Sequence, residues 1–147
     1  MPKIEEEIYL NCNPETAFLE ISDMDFVKKI NPNSGLESKV LFHNNRFVRY
    51  KLSVKNVGEW ESERVIIPES LTIVTQRRKP IKPFFYMTVL HVFKKHKSGT
   101  ILSYIEEFEM DEDNKNMETK VLGDILKKIN PNLKKIEQYF NGLGKSK

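Results

Sequence analysis

The sequence predicts an α+β protein in which a strongly curved antiparallel sheet wraps around one long C-terminal helix, with two short helices after the first strand. Three observations predict it. Between residues 38 and 110 the chain is a succession of alternating segments separated by tight turn signals, the pattern of an antiparallel meander. From Met117 onward the period changes: Met117, Val121, Ile125, Ile129, Leu133, Ile136 and Phe140 recur every three or four residues, the stripe of an amphipathic helix. Finally, one strand-like segment places an arginine on the same face as a tryptophan and an isoleucine, which implies an interior that is not wholly apolar.

Each element has its own local cause. Lys3 to Leu10 alternates as a strand. Asn13-Pro14-Glu15 starts a helix, with Asn13 as N-cap and proline at the first helical position, and Ala17, Phe18 and Ile21 give it an apolar side. Ser22-Asp23 restarts a second short helix containing Met24, Phe26, Val27 and Ile30, which Asn31-Pro32-Asn33-Ser34-Gly35 ends. Ser38 to Phe42 runs into a turn at His43-Asn44-Asn45. Arg46 to Lys55 returns from it with Val48, Tyr50, Leu52 and Val54 on one face. Gly58 to Ile67, Leu71 to Arg78, Phe84 to Lys95 and Thr100 to Met110 follow as strands, separated by Pro68-Glu69-Ser70, the proline-bracketed Lys79 to Pro83, and His96-Lys97-Ser98-Gly99. The terminal helix would span about 25 residues with Pro131 inside it, and proline predicts a kink near Lys127 to Pro131.

Composition bounds the function. A chain of 147 residues fits one domain, residues 1–147, with a sizeable core. A 39% hydrophobic, 31% charged composition is that of a globular protein, and no apolar run approaches the roughly 18 residues of a membrane span. The start of the chain, Ile4-Glu5-Glu6-Glu7-Ile8, does not read as a signal peptide, and a single cysteine, Cys12, allows no internal disulfide. A cytoplasmic protein is the expectation. The net charge of +3 is too mild and too dispersed for a nucleic-acid binder. Three scattered histidines give no metal-ligand spacing, and no glycine-rich phosphate loop is present.

The segment Gly58-Glu59-Trp60-Glu61-Ser62-Glu63-Arg64-Val65-Ile66 carries the functional signal. Trp60, Ser62, Arg64 and Ile66 share one face, and three glutamates mark the other as wet. Arginine keeps its proton and is seldom buried without a partner, so an inward arginine points to a cavity that needs a fixed donor. A long helix laid across the concave face of a curled sheet leaves such a cavity where side chains do not fill the gap. That architecture is the helix-grip fold.

The chain resembles the polyketide aromatase/cyclases of the START-like (SRPBCC) superfamily. Trp60-Glu61-Ser62-Glu63-Arg64 is similar to the family's Trp-x-Ser-x-Arg strand. Pro83-Phe84-Phe85-Tyr86-Met87 is similar to its Pro-Phe-x-Tyr-Met segment, and Gly99-Thr100 through Glu107-Phe108-Glu109-Met110 to its Gly-Thr…Glu-Phe-x-Met hairpin and strand. The resemblance implies a pocket for a poly-β-ketone delivered as a thioester on an acyl carrier protein, closed into a ring by aldol condensation and dehydration without a cofactor. It implies Arg64 as the pocket arginine, Trp60 and Ser62 as its neighbours, Arg78 as a second basic residue and Tyr104 as an aromatic pocket position. Phe26-Val27 stands where the family often has Trp-Pro, His91 stands where members often carry Trp, and a functional Asn of the last helix falls on Ile129 or Asn130. A monomer or a homodimer fits this reading.

Aldol closure needs a polarised carbonyl, an enol or enolate, and a route for protons. Arg64 suits the first task, holding a ketone or enolate oxygen. Alternation places Thr100, Leu102, Tyr104, Glu106, Phe108 and Met110 on one face, grouping Glu106 with Tyr104. Glu106 either pairs with Arg64 or Arg78 or acts as a base. The expected site is therefore Arg64, Tyr104 and Glu106 for chemistry, with Trp60, Ser62, Tyr50, Arg78, His91, Phe26 and Asn130 around the substrate. Arg77-Arg78-Lys79 and Lys82 form a basic loop that could steer an acidic carrier protein. The rivals are a carrier of a lipid, quinone or aromatic product on the same fold, and an interaction module with a collapsed pocket.

Overall fold

The computed structural model describes residues 2–56, 58–78 and 83–142. Seven antiparallel strands form one sheet in the order β1-β7-β6-β5-β4-β3-β2. They are β1 (Lys3–Leu10), β2 (Leu36–His43), β3 (Phe47–Val54), β4 (Gly58–Ile67), β5 (Thr72–Arg77), β6 (Phe84–His96) and β7 (Gly99–Met110). Two short helices, α1 (Pro14–Ser22) and α2 (Phe26–Ile30), follow β1, and the 25-residue α3 (Glu118–Gly142) ends the described chain. This is the helix-grip architecture expected from the sequence.

Local chemistry sets the boundaries. Asn13 caps α1 by accepting from the Thr16 N–H at 2.8 Å, and Pro14 follows at the first helical position. The second helix begins at Phe26 rather than at Ser22-Asp23. Ser22 belongs to α1, and Asp23 is extended and accepts from the Asp25 N–H at 2.9 Å, a turn that must finish before a helix restarts. β2 starts two residues earlier than expected and keeps His43, which pairs with Val48. The turn is Asn44 to Arg46, where the Asn44 side chain accepts from the Arg46 and Phe47 N–H groups at 3.0 and 2.9 Å. β5 starts at Thr72 because Leu71 has φ +48, a left-handed conformation that breaks a strand. α3 continues through Pro131 to Gly142, with the proline on its exposed side.

The register fixes which side chains share the concave face. Arg64 lies opposite Val48 on β3 and Thr75 on β5, and Ser62 lies opposite Tyr50 and Arg77. Thr75 lies opposite Val89, Val89 opposite Glu106, and His91 opposite both Ile73 and Tyr104. These positions alternate with solvent-facing glutamates, lysines and Arg78, so the parity read from the sequence of β4 extends across the sheet.

α3 closes over this face. Val121, Ile129, Leu133, Ile136 and Phe140 are buried from it, and Ile129, Leu133, Ile136 and Phe140 join Leu10, Phe18, Ile21, Ile73, Phe93 and Leu102 in one cluster. Burying each such side chain contributes about 1.5–3 kcal/mol relative to leaving it in water. The end of α3 is stapled to β1, since Asn141 accepts from the Asn11 N–H at 2.7 Å and donates to the Tyr9 carbonyl at 3.0 Å.

Two glycines give opposite expectations. A Cβ on Gly99, at the start of β7, would overlap the Leu10 carbonyl oxygen and the Tyr9 ring, and backbone cannot yield cheaply. Gly99→Ala is expected to cost about 1–3 kcal/mol in urea unfolding. A Cβ on Gly123, inside α3, meets nothing within 4 Å among the described residues, so Gly123→Ala is expected to stabilise by roughly 0.5–1 kcal/mol. Equal effects at both sites would contradict the packing described.

Candidate functional site

A cavity of about 210 Å³ lies between the concave face, α1–α2 and α3, open to solvent on one side. Its apolar lining is Ile21, Phe26, Val27, Ile30, Val89 and Ile136. Its polar lining comes from Arg64 on β4, Thr75 on β5, His91 on β6, Tyr104 on β7, Asn31 after α2 and Asn132 on α3. Phe26 is buried, edge-on to Tyr139 with centroids 5.3 Å apart and stacked on Phe140 at 6.0 Å, so it forms a rigid wall.

Arg64 is only 8% exposed. Its Nη1 donates to the Ser22 carbonyl at 3.2 Å and, more weakly, to the Ile21 carbonyl at 3.4 Å. These are carbonyls at the end of α1, which the helix itself leaves without donors. The guanidinium also stands 5.6 Å from the centre of the buried Tyr50 ring. No carboxylate lies within ion-pair distance of it among the described residues, and Arg64 Nε has no hydrogen-bond partner there.

Tyr104 donates to Glu106 Oε1 at 2.6 Å, a dyad on one strand with the phenol at the cavity and the carboxylate behind it. Burial raises the Glu106 carboxyl above the ordinary range, opposed by the hydrogen bond from Tyr104 and by the charge of Arg77. Burial and then the charge and hydrogen bond of Glu106 push the Tyr104 phenol up, so it stays a neutral donor. His91 packs edge-on against Tyr104 with centroids 5.2 Å apart. Burial, and then the nearby Arg64 charge, pull its imidazole down to about 3, which keeps the ring neutral.

Three expectations are corrected. Arg78 does not enter the interior: β5 parity turns it outward, where it meets Glu61 at 3.7 Å and Glu63 at 3.4 Å. Its neighbour Arg77 turns inward, between the Trp60 ring at 5.4 Å and the Phe84 ring at 5.8 Å. Glu106 accordingly pairs with neither Arg64 nor Arg78; the charge it feels is that of Arg77. Asn130 is exposed on α3 and Ile129 is core, while Asn132, one turn before Ile136, reaches the cavity. The basic loop loses Arg77 and Arg78 to these intramolecular partners, and Lys79 and Lys82 lie outside the described residues.

Trp60, Ser62 and Tyr50 occupy the concave face beside Arg77 and Arg64, with Ser62 and Tyr50 each 3% exposed, but they do not line this cavity. Sequence reasoning missed Thr75, Arg77 and Asn132. No group of three or more His, Cys, Asp or Glu among the described residues could hold a metal ion, and no helix there is long and apolar enough to cross a membrane.

The relatives found are relatives of fold. No protein-family model matches the chain, and no curated protein sequence does. Among solved structures, TTHA0849 from Thermus thermophilus superposes with a TM-score of 0.77 at 17% identity over 97% of this chain and 99% of that one. The Zhui aromatase/cyclase from Streptomyces superposes with a TM-score of 0.74 at 12% identity, covering 95% and 93%. The di-domain aromatase/cyclase BexL gives a TM-score of 0.80 at 11% identity, and 94% of this chain covers 46% of it. At these identities the likeness shows the helix-grip fold.

The neutral His91 has a pH signature. Its folded value lies below the unfolded one, so the stability tied to it is complete above about pH 6.5 and is lost as pH falls toward 3. Glu106 has the opposite sign: its folded value is raised, so its contribution is complete below about pH 4.5 and is lost as pH rises through the folded value. Urea midpoints of wild type between pH 6.5 and 4 are expected to fall more steeply than those of His91→Phe. Parallel curves would contradict a buried neutral imidazole.

Proposed function

We propose that the protein is a polyketide aromatase/cyclase acting inside this cavity on a poly-β-ketone presented by an acyl carrier protein. The observation that carries the reading is the convergence of Arg64, His91 and the phenol of the Tyr104–Glu106 dyad on one cavity walled by Phe26, Val27, Ile30 and Ile136. The fold likeness to aromatase/cyclases supports it. A non-catalytic carrier of an oxygenated apolar ligand is the alternative for the same cavity, favoured by the use of Arg64 Nη1 in holding α1.

The chemistry follows from what each group can do. The α-protons of a 1,3-dicarbonyl are acidic, so modest general catalysis suffices and positioning does much of the work. A substrate α-proton passes to the Tyr104 oxygen as the phenolic proton passes to Glu106 Oε1, leaving an enolate and a protonated carboxyl. The enolate carbon attacks a second carbonyl, whose oxygen takes charge as the carbon–carbon bond forms. The Arg64 guanidinium holds that developing charge in a low-dielectric site, where it is worth most. The relay run backwards returns that proton to the new alkoxide, giving the aldol hydroxyl. A second forward pass removes the remaining α-proton, and its return protonates the hydroxyl, which leaves as water as the carbon–carbon double bond forms. The walls of Phe26, Val27, Ile30 and Ile136 decide which carbons meet.

The test is a reconstituted minimal polyketide synthase with products profiled for wild type, Arg64→Gln and Tyr104→Phe. Wild type is expected to replace shunt products by one regiospecific aromatic compound. Arg64→Gln is expected to slow its formation about 10²–10³-fold, and Tyr104→Phe by roughly 10²-fold. An unchanged profile across several chain lengths, with ligand still bound, supports the carrier instead.

A further inference from the structure

Three buried polar atoms around the cavity have no hydrogen-bond partner among the described residues: Arg64 Nε, Thr75 Oγ1 and His91 Nδ1. All three residues line the cavity. They come from three adjacent strands, and the register brings them together. Arg64 and Thr75 are direct cross-strand partners, and His91 lies two residues along β6 from Val89, the partner of Thr75. A native interior rarely leaves one such atom unmatched, and three side by side call for a common explanation.

The charge balance narrows what would match them. Arg64 brings a full positive charge, and no carboxylate within ion-pair distance offsets it among the described residues. The groups around it are the Tyr50 ring of β3, the neutral His91 of β6 and the Tyr104 phenol of β7, which is bonded to Glu106 behind it. Arg77 of β5 adds positive charge beyond them. Arg64 Nε and the Thr75 hydroxyl donate, and a neutral imidazole donates from Nδ1 when Nε2 carries no proton. A buried cation with three donors and no counter-charge is matched by an anionic oxygen.

We propose that Arg64, Thr75 and His91 form a three-donor site that binds the acidic hydroxyl of an aromatic or enolised ligand in its ionised form. Thr75 and His91 are then binding residues, with His91 supplying a donor where a purely aromatic wall would supply none. The inference rests on the cavity being a ligand site, as proposed above, and adds the protonation state of what it holds.

The test uses 4-methylumbelliferone, a phenol whose absorption reports its ionisation, and its methyl ether, which cannot ionise. The bound phenol is expected to ionise about 1–3 pH units below the free dye. Thr75→Val and His91→Phe are each expected to weaken the anion about tenfold while leaving the ether unchanged. Both are also expected to raise the urea midpoint of the free protein, because each removes an unmatched buried group; a merely structural role would lower it. Arg64→Met is expected to abolish the shift in ionisation. If the dye binds as the neutral phenol, or if both variants weaken phenol and ether alike, the three-donor site is overturned and the cavity reading survives. If neither coumarin nor anilinonaphthalene sulfonate binds wild type, the cavity reading fails and this inference fails with it.

Discussion

The hydrogen bonds from the Arg64 guanidinium to the last carbonyls of α1 set the height of the cavity roof above its floor. Arg64 is rooted in β4 and the carbonyls of Ile21 and Ser22 end the helix, so one side chain spans the gap that apolar packing leaves open. The helix terminus supplies partial negative charge, which offsets part of the cost of burying a cation. A leucine in this position would fill space but could not bond those carbonyls, and a lysine would lack the planar fork. α2 follows directly from α1, and its Phe26 packs on Tyr139 and Phe140 of α3. Floor, roof and closing helix are thereby held in one arrangement.

Around that arrangement the charged groups segregate by face. The outer face of β3–β5 carries a ladder of half-exposed pairs, Arg49 with Glu63, Lys51 with Glu59 and Arg78 with Glu61 and Glu63. Such pairs contribute little each in high dielectric. The inner face carries few charges, and each is in a distinct setting: Arg64 on carbonyls, Arg77 between aromatic rings, Glu106 under a phenol. Low dielectric makes each of these interactions stronger than it would be on the outer face and leaves protonation states there dependent on neighbours.

Strand parity makes much of this arrangement legible in the amino-acid sequence. Trp60, Ser62 and Arg64 alternate with three glutamates, and that pattern alone assigns the inner face of β4. The terminal stripe locates α3 because its apolar spacing is long and regular. The errors have equally local causes. Arg77 and Arg78 are adjacent, and the resemblance places Arg78 at the pocket, whereas alternation from Ile73 through Thr75 puts Arg77 on the inner face. Asn132 lies on the apolar stripe, three residues after Ile129 and four before Ile136, so helical spacing favours it over Asn130. Thr75 offers no signal in one dimension. A threonine in a strand is ordinary, and only its pairing with Arg64 in the folded sheet makes it unusual.

The order of strands has a consequence for how the chain comes to be folded. β1 is made first yet pairs only with β7, so Lys3 waits for Glu107 and Leu10 for Thr100. At a synthesis rate of about 5–20 residues per second, the first strand spends roughly 5–20 seconds without its partner. A bare strand is an invitation to pair with the wrong chain. The run Glu5-Glu6-Glu7 at its centre answers that hazard, since like charges directly opposite one another discourage β1 from adding to a second copy of itself.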